Sequence, residues 1–487
     1  MNLWKKLEAS FTVNASRPSI TDQNGCPMTY GDLRTAAREI AAFIRLNVAD
    51  RARICVLHSQ SYHDAMGILG VLAANCIGIP MSLHYGESNC CKIMQRAEPD
   101  ALLTDVDPLP DTLQKIIHES HIKVLPLTRS AEPPFCEPEA AEEDVALLMF
   151  TSGTTGFPKG AMLSHRNVMS NLDGIAAYFT LTREDHFLIC RPLYHGAVMT
   201  GEFFHALLHG VQISFYSESF SPKRLLAYLA ERKCSVLCGT PTLFYHLALA
   251  KRKNELPYLR KITMSGECLN PQVADKLTEV FPEALFWNVY GLTEASPRVC
   301  HLDPVFFHQR IGSVGVPLFN VNVKVTDDSG DETARNTIGE LWVRGPSVMK
   351  GYWRDEALTD SKITDGWLHT GDLARMDEEG FVYIISRKDD MIIRAGVNIY
   401  PQEIENNLLK TASVKEIMVW GETDKTVGQR ICAAVVPQDG ADMTVKSFMA
   451  ICRDYLEPYQ WPDEMIPVEA LPRNATGKVV RGRPAQK

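Results

Sequence analysis

Residues 147–167 read LLMFTSGTTGFPKGAMLSHRN. The apolar run 145–150 predicts a buried strand. Thr151, Ser152, Gly153, Thr154, Thr155 and Gly156 follow it, then Pro158, Lys159 and Gly160, a short apolar segment, and a helix expected from near Ser164. Backbone N–H groups and hydroxyls of such a loop wrap around an anion, and the lysine adds a point charge. A Walker A loop needs Gly-Lys followed by Ser or Thr. Here Lys159 follows Pro158 and precedes Gly160. Composition therefore points to a polyphosphate, and residue order argues against a P-loop NTPase.

Outward from that loop the chain alternates. Helical spacing over 30–46, a strand at 52–58, a helix at 62–74 and strands at 101–104 and 124–127 precede it. A strand at 211–216, a helix at 222–232, a strand at 235–238 and a helix at 243–250 come after it. Strands alternating with helices at this spacing predict layered α/β structure with largely parallel sheets. From about Gly312 the segments 321–325 and 339–343 are β-rich, which predicts a small β-barrel or β-subdomain. Beyond Arg387 a compact α+β tail of about 100 residues has the length of a small second domain.

At 487 residues the chain is long enough for two or three domains. Its 45% hydrophobic and 22% charged content is that of a soluble globular protein. A net charge of −9 argues against general nucleic-acid binding, which needs a basic face. The N-terminus lacks the apolar core of a secretory signal, and no run of about 18 apolar residues is present. Thirteen scattered cysteines without a C-x-x-C pair read as reduced thiols, and the expected compartment is the cytoplasm. His205 and His209, four apart, share a helix face, but no third metal ligand stands at a recognisable spacing.

Four further motifs carry possible chemistry. In residues 288–294, NVYGLTE, a tyrosine can stack on a purine, a threonine hydroxyl can reach a phosphate and a carboxylate can hold Mg²⁺. In residues 370–373, TGDL, an aspartate on a fixed turn can accept two ribose hydroxyls. Residues 471–478, LPRNATGK, end in a lysine. Residues 191–196, RPLYHG, place a histidine beside aromatic and apolar neighbours. Taken singly, each is also the composition of an ordinary turn, tail or core segment.

Taken in order, TSGTTGFPKG, SGE (265–267), NVYGLTE, GELWVRG with Gly351-Tyr352, HTGDL, SRKDDMIIRAGVNIYPQEIE and LPRNATGKVVR resemble the core motifs of the adenylate-forming superfamily. Its members include acyl- and aryl-CoA synthetases, stand-alone adenylation enzymes and luciferases. The resemblance runs from about Thr29 to Arg481. It implies an N-terminal adenylation core (1–386) of two layered α/β subdomains plus a small β-barrel subdomain, a hinge (387–389) at Asp389, and a small mobile α+β lid domain (390–487).

The resemblance also implies roles. Thr151, Ser152, Gly153, Thr154, Thr155 and Lys159 would hold the ATP phosphates. Gly266, Glu267 and Asn288 would border the adenine, with Tyr290 stacked on it. Thr293 would touch the α-phosphate, Glu294 would carry Mg²⁺, and Asp372 and Arg387 would bind the ribose. Lys478 would bridge the acid's carboxylate and the α-phosphate. Gly396 would let a pantetheine arm approach after domain rotation. His195, Gly196, Met199, Phe203, Gly239, Thr240, Ser265, Gly291 and Pro297 would form the acid pocket, with the three glycines leaving room for an extended or flat substrate. No aspartate follows RPLYHG, which argues against an ordinary α-amino acid, and Glu202 is expected to be ionised and paired within a helix.

The implied activity is ATP-dependent activation of an aryl or acyl carboxylic acid as its adenylate, with pyrophosphate released. The acyl group then passes to the thiol of CoA, or to the phosphopantetheine of a carrier protein. A luciferase-like oxidase and a non-catalytic nucleotide-binding regulator are the alternatives of another class.

Overall fold

The computed structural model describes all residues except 22–26, 59–61, 128–139, 152–157, 219, 251–255, 268, 270, 439, 442, 474–478 and 485–487. Ser152, Gly153, Thr154, Thr155 and Lys478 therefore lie outside the described residues. The chain forms two compact units. The first comprises Met1–Leu269, Val273–Val323 and Val343–Leu368. The second comprises chiefly Lys324–Trp342 and His369–Lys487. Asp372, expected in a core ending at 386, and Arg387, expected in the hinge 387–389, both fall in the second unit.

The first unit is built on two sheets. Its strands are β1 (Pro18–Thr21), β2 (Pro27–Thr29), β3 (Arg53–His58), β4 (Ile77–Ser82), β5 (Ala101–Thr104), β6 (Lys123–Pro126), β7 (Val145–Thr151) and β8 (Lys159–Ser164). They continue with β9 (His186–Ile189), β10 (Gln212–Phe215), β11 (Val236–Gly239), β12 (Lys261–Met264), β13 (Leu285–Gly291), β14 (Arg298–Leu302) and β15 (Val316–Pro317). A six-stranded sheet has the order β6-β5-β3-β4-β7-β8, and a nine-stranded sheet the order β15-β14-β13-β12-β11-β9-β10-β1-β2. Strands β9 to β13 pair in parallel, as the alternating pattern predicts. Their apolar runs are buried on both faces: Phe187, Val236, Leu237 and Ile262 are all fully inaccessible.

The expected helices are present. Tyr30–Asn47 starts at a reciprocal capping box between Thr29 and Asp32, which satisfies two orphan N–H groups. It packs on Tyr62–Ala73, and Gly70 allows the close approach, because a Cβ there would lie 2.3 Å from Ile40 Cγ2. No helix among the described residues is long and apolar enough to cross a membrane.

The second unit carries most of a five-stranded sheet containing β16 (Asn322–Thr326), β17 (Gly339–Arg344), β18 (Ile363–Thr364), β19 (Trp367–Met376) and β20 (Val382–Arg387). This is the β-rich stretch seen in sequence. Its other sheet holds β21 (Ile392–Arg394), β22 (Val397–Ile399), the long hairpin of β23 (Val414–Asp424) and β24 (Gly428–Pro437), and β25 (Glu464–Pro467). Helices Pro401–Leu408 and Val445–Tyr455 bury Ile404, Leu408 and Phe448 with Val419 and Val435 in one core.

Candidate active site

The strand expected at 145–150 is β7, and the helix expected from near Ser164 is His165–Tyr178. The apolar segment after Lys159 is strand β8, antiparallel to β7, and the register sets Thr151 opposite Lys159. Strands β7 and β8 thus pair antiparallel on either side of residues 152–157. The helix His165–Tyr178 begins only after β8, with Ser164 and Asn167 forming its capping box. Strand β8, not a helix N-terminus, follows residues 152–157.

The remaining first-unit residues expected to bind nucleotide lie at the C-terminal ends of the parallel strands, where open α/β sheets bind ligands. Gly266 and Glu267 follow β12, and Tyr290 ends β13. Gly266 has φ +91° and Glu267 accepts hydrogen bonds from the Thr242 N–H at 3.2 Å and its hydroxyl at 2.6 Å. Tyr290 is half-buried. Asn288 is buried and spends its amide N–H on the Ser313 carbonyl at 2.8 Å. Thr293 and Glu294 sit on the turn after β13. The Tyr352 hydroxyl donates to Glu294 Oε1 at 2.9 Å, and the second carboxylate oxygen has no protein partner among the described residues. That free hard oxygen fits Mg²⁺ coordination.

In the second unit Asp372 and Arg387 are register partners on β19 and β20, and Arg387 Nη1 donates to Asp372 Oδ1 at 2.8 Å and to the Thr370 carbonyl at 3.1 Å. A carboxylate accepts hydrogen bonds of the kind a diol donates. Asp389 is exposed on the 3₁₀ turn Lys388–Asp390. Gly396 lies in the tight β21–β22 turn with Ala395, at φ +80° and +49°, the two-residue geometry that asks for glycine.

The acid segment lies against the phosphate elements. A Cβ on Gly196 would stand 3.7 Å from Met149 Cε on β7 and 3.8 Å from Thr293 Oγ1. His195 is half-buried and its pKa is pushed down to about 3 by burial and then by Arg191, so its ring is neutral at physiological pH. Met199 and Phe203 are fully buried. Thr240 Oγ1 accepts the Leu243 N–H at 3.2 Å.

Two expectations about the pocket change. Gly239 and Gly291 do not leave space for substrate. A Cβ on Gly239 would lie 2.5 Å from Leu243 Cδ2, and one on Gly291 would lie 1.8 Å from the Pro297 carbonyl oxygen. These glycines admit the chain itself, and only Gly196 keeps ordinary room around it. Gly291→Ala is expected to destabilise the protein by about 2–4 kcal/mol, since backbone must move to admit the methyl. A thermal unfolding midpoint equal to wild type would contradict that.

The second change concerns Glu202. It is fully buried in the π-helical turn Met199–Phe204, and its partner is Arg191 from the loop after β9, not a residue of its own helix. Burial pushes its carboxyl pKa up, and Arg191 pulls it back. Arg191 keeps its charge beside that carboxylate and donates to Ser265 Oγ at 3.3 Å. The sequence signal for this pair was a lone arginine amid apolar residues. Tyr352 on Glu294 was quoted among the motifs but given no role. His205 and His209 hold backbone carbonyls, those of Phe179 at 2.9 Å and His205 at 2.8 Å, which accounts for both without a metal.

The first unit carries the hairpin and the strand-end cluster, and the second carries the Asp372–Arg387 pair. The chain belongs to the AMP-binding enzyme family: the profile of that family matches residues 7–353, and that of the AMP-binding enzyme C-terminal domain matches residues 403–478. It is an AMP-forming acid–thiol ligase of the adenylate-forming superfamily. A feruloyl-CoA synthase of Amycolatopsis sp. is 30% identical over 94% of this chain and 93% of its own. ATP-bound MatB from Rhodopseudomonas palustris superposes with a TM-score of 0.90 at 27% identity, covering 98% and 97% of the two chains. The o-succinylbenzoate CoA synthetase MenE of Bacillus subtilis, solved with ATP and magnesium, gives 0.88 at 25%, covering 98% of each.

Proposed function

We propose that this protein is a cytoplasmic acid–CoA ligase in which the residues described above perform two successive substitutions. The observation that carries the reading is the convergence of Gly196, Thr293 and the end of β7. An acid seated by His195 and Gly196 then meets the α-phosphate held at Thr293, while Thr151, Lys159 and the hairpin loop grip the β- and γ-phosphates. Tyr290 stacks on the adenine between Gly266, Glu267 and Asn288, and Asp372, fixed by Arg387, accepts the ribose hydroxyls.

In the first step a carboxylate oxygen attacks the α-phosphorus in line, and the bond to pyrophosphate breaks. Both reactants are anionic, so the residues present must neutralise charge and align the oxygen. Lys478 supplies the cation between carboxylate and α-phosphate. Glu294, hydrogen-bonded by Tyr352, would hold Mg²⁺, which would supply charge neutralisation on the phosphates. In the second step the thiol sulfur attacks the acyl carbonyl, AMP departs, and the thiol proton is released. Rotation at Asp389 exchanges Lys478 for the Gly396 turn between the steps.

CoA is the acceptor favoured by the CoA ligases among the relatives, and a carrier-protein pantetheine is the competing acceptor. The test is ATP–pyrophosphate exchange across a panel of aryl and acyl acids, followed by competition between CoA and carrier proteins for the adenylate. The expected result is acid-dependent exchange, AMP as the nucleotide product, and acyl-CoA formation. ADP as product, or exchange without any thioester, overturns the reading.

A further inference from the structure

Behind His195 lies a group of ionised side chains that the two steps do not use. Arg191 reaches from the end of β9 to Glu202 and Ser265. Arg298, the first residue of β14, is 2% exposed. Its guanidinium lies against the turn that carries Glu202, since a Cβ on Gly201 would stand 3.0 Å from Arg298 Nη2. Arg298 hydrogen-bonds the half-buried Tyr178, and its field reaches Glu202. Cys238, at the C-terminal end of β11, interacts electrostatically with Arg191, Glu202 and Arg298 together.

Two guanidinium groups and one carboxylate sum to +2 − 1 = +1. The neighbouring titratable groups do not cancel that charge. His195 and His205 are held neutral by burial, and the Cys190 thiol, pushed up to about 12 by burial, stays protonated. Arg191 Nε, Arg298 Nε and Glu202 Oε2 have no hydrogen-bond partner among the described residues. Exposure is also asymmetric: the Arg191 side chain is 17% exposed, whereas that of Glu202 is fully buried. Arg191 is therefore the more accessible member of the ion pair.

A buried net charge with unspent donors is costly unless a counter-charge arrives. Guanidinium groups in such a setting favour carboxylate. An alkyl terminus brought there would strip water from the arginine and return no hydrogen bond. We infer that Arg191, backed by Arg298, is the specificity-determining group for the far end of the acid, and that the substrate is a dicarboxylic acid: one carboxylate is activated while the other is held at Arg191. This rests on the ligase reading above.

The test measures kcat/KM in ATP–pyrophosphate exchange for three series: dicarboxylic acids of four to eight carbons, monocarboxylic acids of the same lengths, and aryl monocarboxylic acids. The dicarboxylic series is expected to be favoured by about 10- to 100-fold, the range of a charge-assisted hydrogen bond. Arg298→Met lowers the cluster to zero net charge and should shrink that preference. Glu202→Gln, which keeps the volume and the contact to Arg191, raises it to +2 and should enlarge the preference. A purely structural role would move both variants the same way, and that outcome overturns the inference. So does wild-type preference for either monocarboxylic series, which leaves the ligase reading standing and decides the matter even where a variant fails to fold. Absence of exchange with all three series overturns both.

Discussion

Lys478→Ala is expected to lose acyl-adenylate formation by about 10²–10³-fold, the usual cost of removing one charge that acts where the transition state develops it. Conversion of a supplied acyl-adenylate to the thioester should persist, because the lysine is withdrawn before the thiol attacks. The described residues flanking 474–478 are anchored. Arg473 and Val479 form a β-bridge, and the Val480 N–H donates to the Pro472 carbonyl at 2.9 Å. Three residues past the lysine, Arg481 Nη2 donates to the buried Glu405 at 2.9 Å and Nη1 to the Val419 carbonyl at 2.7 Å, while Nε lies 3.2 Å from Asp390. Positioning of this kind lets a single cation act without reorganisation. Pyrophosphate release by the variant at near wild-type rate would remove Lys478 from the mechanism.

Gly396→Trp is expected to spare pyrophosphate exchange and to slow thioester formation by about 10²-fold, the cost of misplacing a reacting group. The β21–β22 turn is exposed, and no atom lies within 4 Å of a Cβ built on Gly396. Folding space therefore does not forbid a side chain there, although φ of +80° strains one. Gly396→Asn controls for strain, since asparagine tolerates that backbone region and adds little bulk. The two half-reactions are measured separately, with the supplied adenylate as substrate for the second. Equal loss of both half-reactions in the tryptophan variant, or equal loss of the second in both variants, would separate Gly396 from the path of the thiol.

Most of the α/β frame was legible in the residues. Apolar runs at 52–58 and 235–238 became β3 and β11 within a residue or two, because a strand buried on both faces must be apolar throughout. The segment after Lys159 was harder. Four or five apolar residues serve a short strand or the start of a helix equally well, and only pairing with β7 separates them. The boundary between compact units was likewise hidden, since Asp372 joins the second unit through β19–β20 pairing that no local motif encodes.

By itself, the order of TSGTTGFPKG, NVYGLTE, HTGDL and the terminal Gly477-Lys478 determined the nucleotide chemistry, because each motif keeps its reactive side chain next to the backbone turn that presents it. The tertiary structure alone decided what surrounds the acid. Arg191 and Glu202 are 11 residues apart on different elements, and Arg298 arrives from β14. Their charges meet only after the sheet has assembled. Gly239 and Gly291 similarly look like open space in one dimension and are filled by Leu243 and Pro297 in three. Recognition of a phosphate depends on backbone within one loop, whereas selection of an acid depends on side chains brought together from many, and folding is what brings them together.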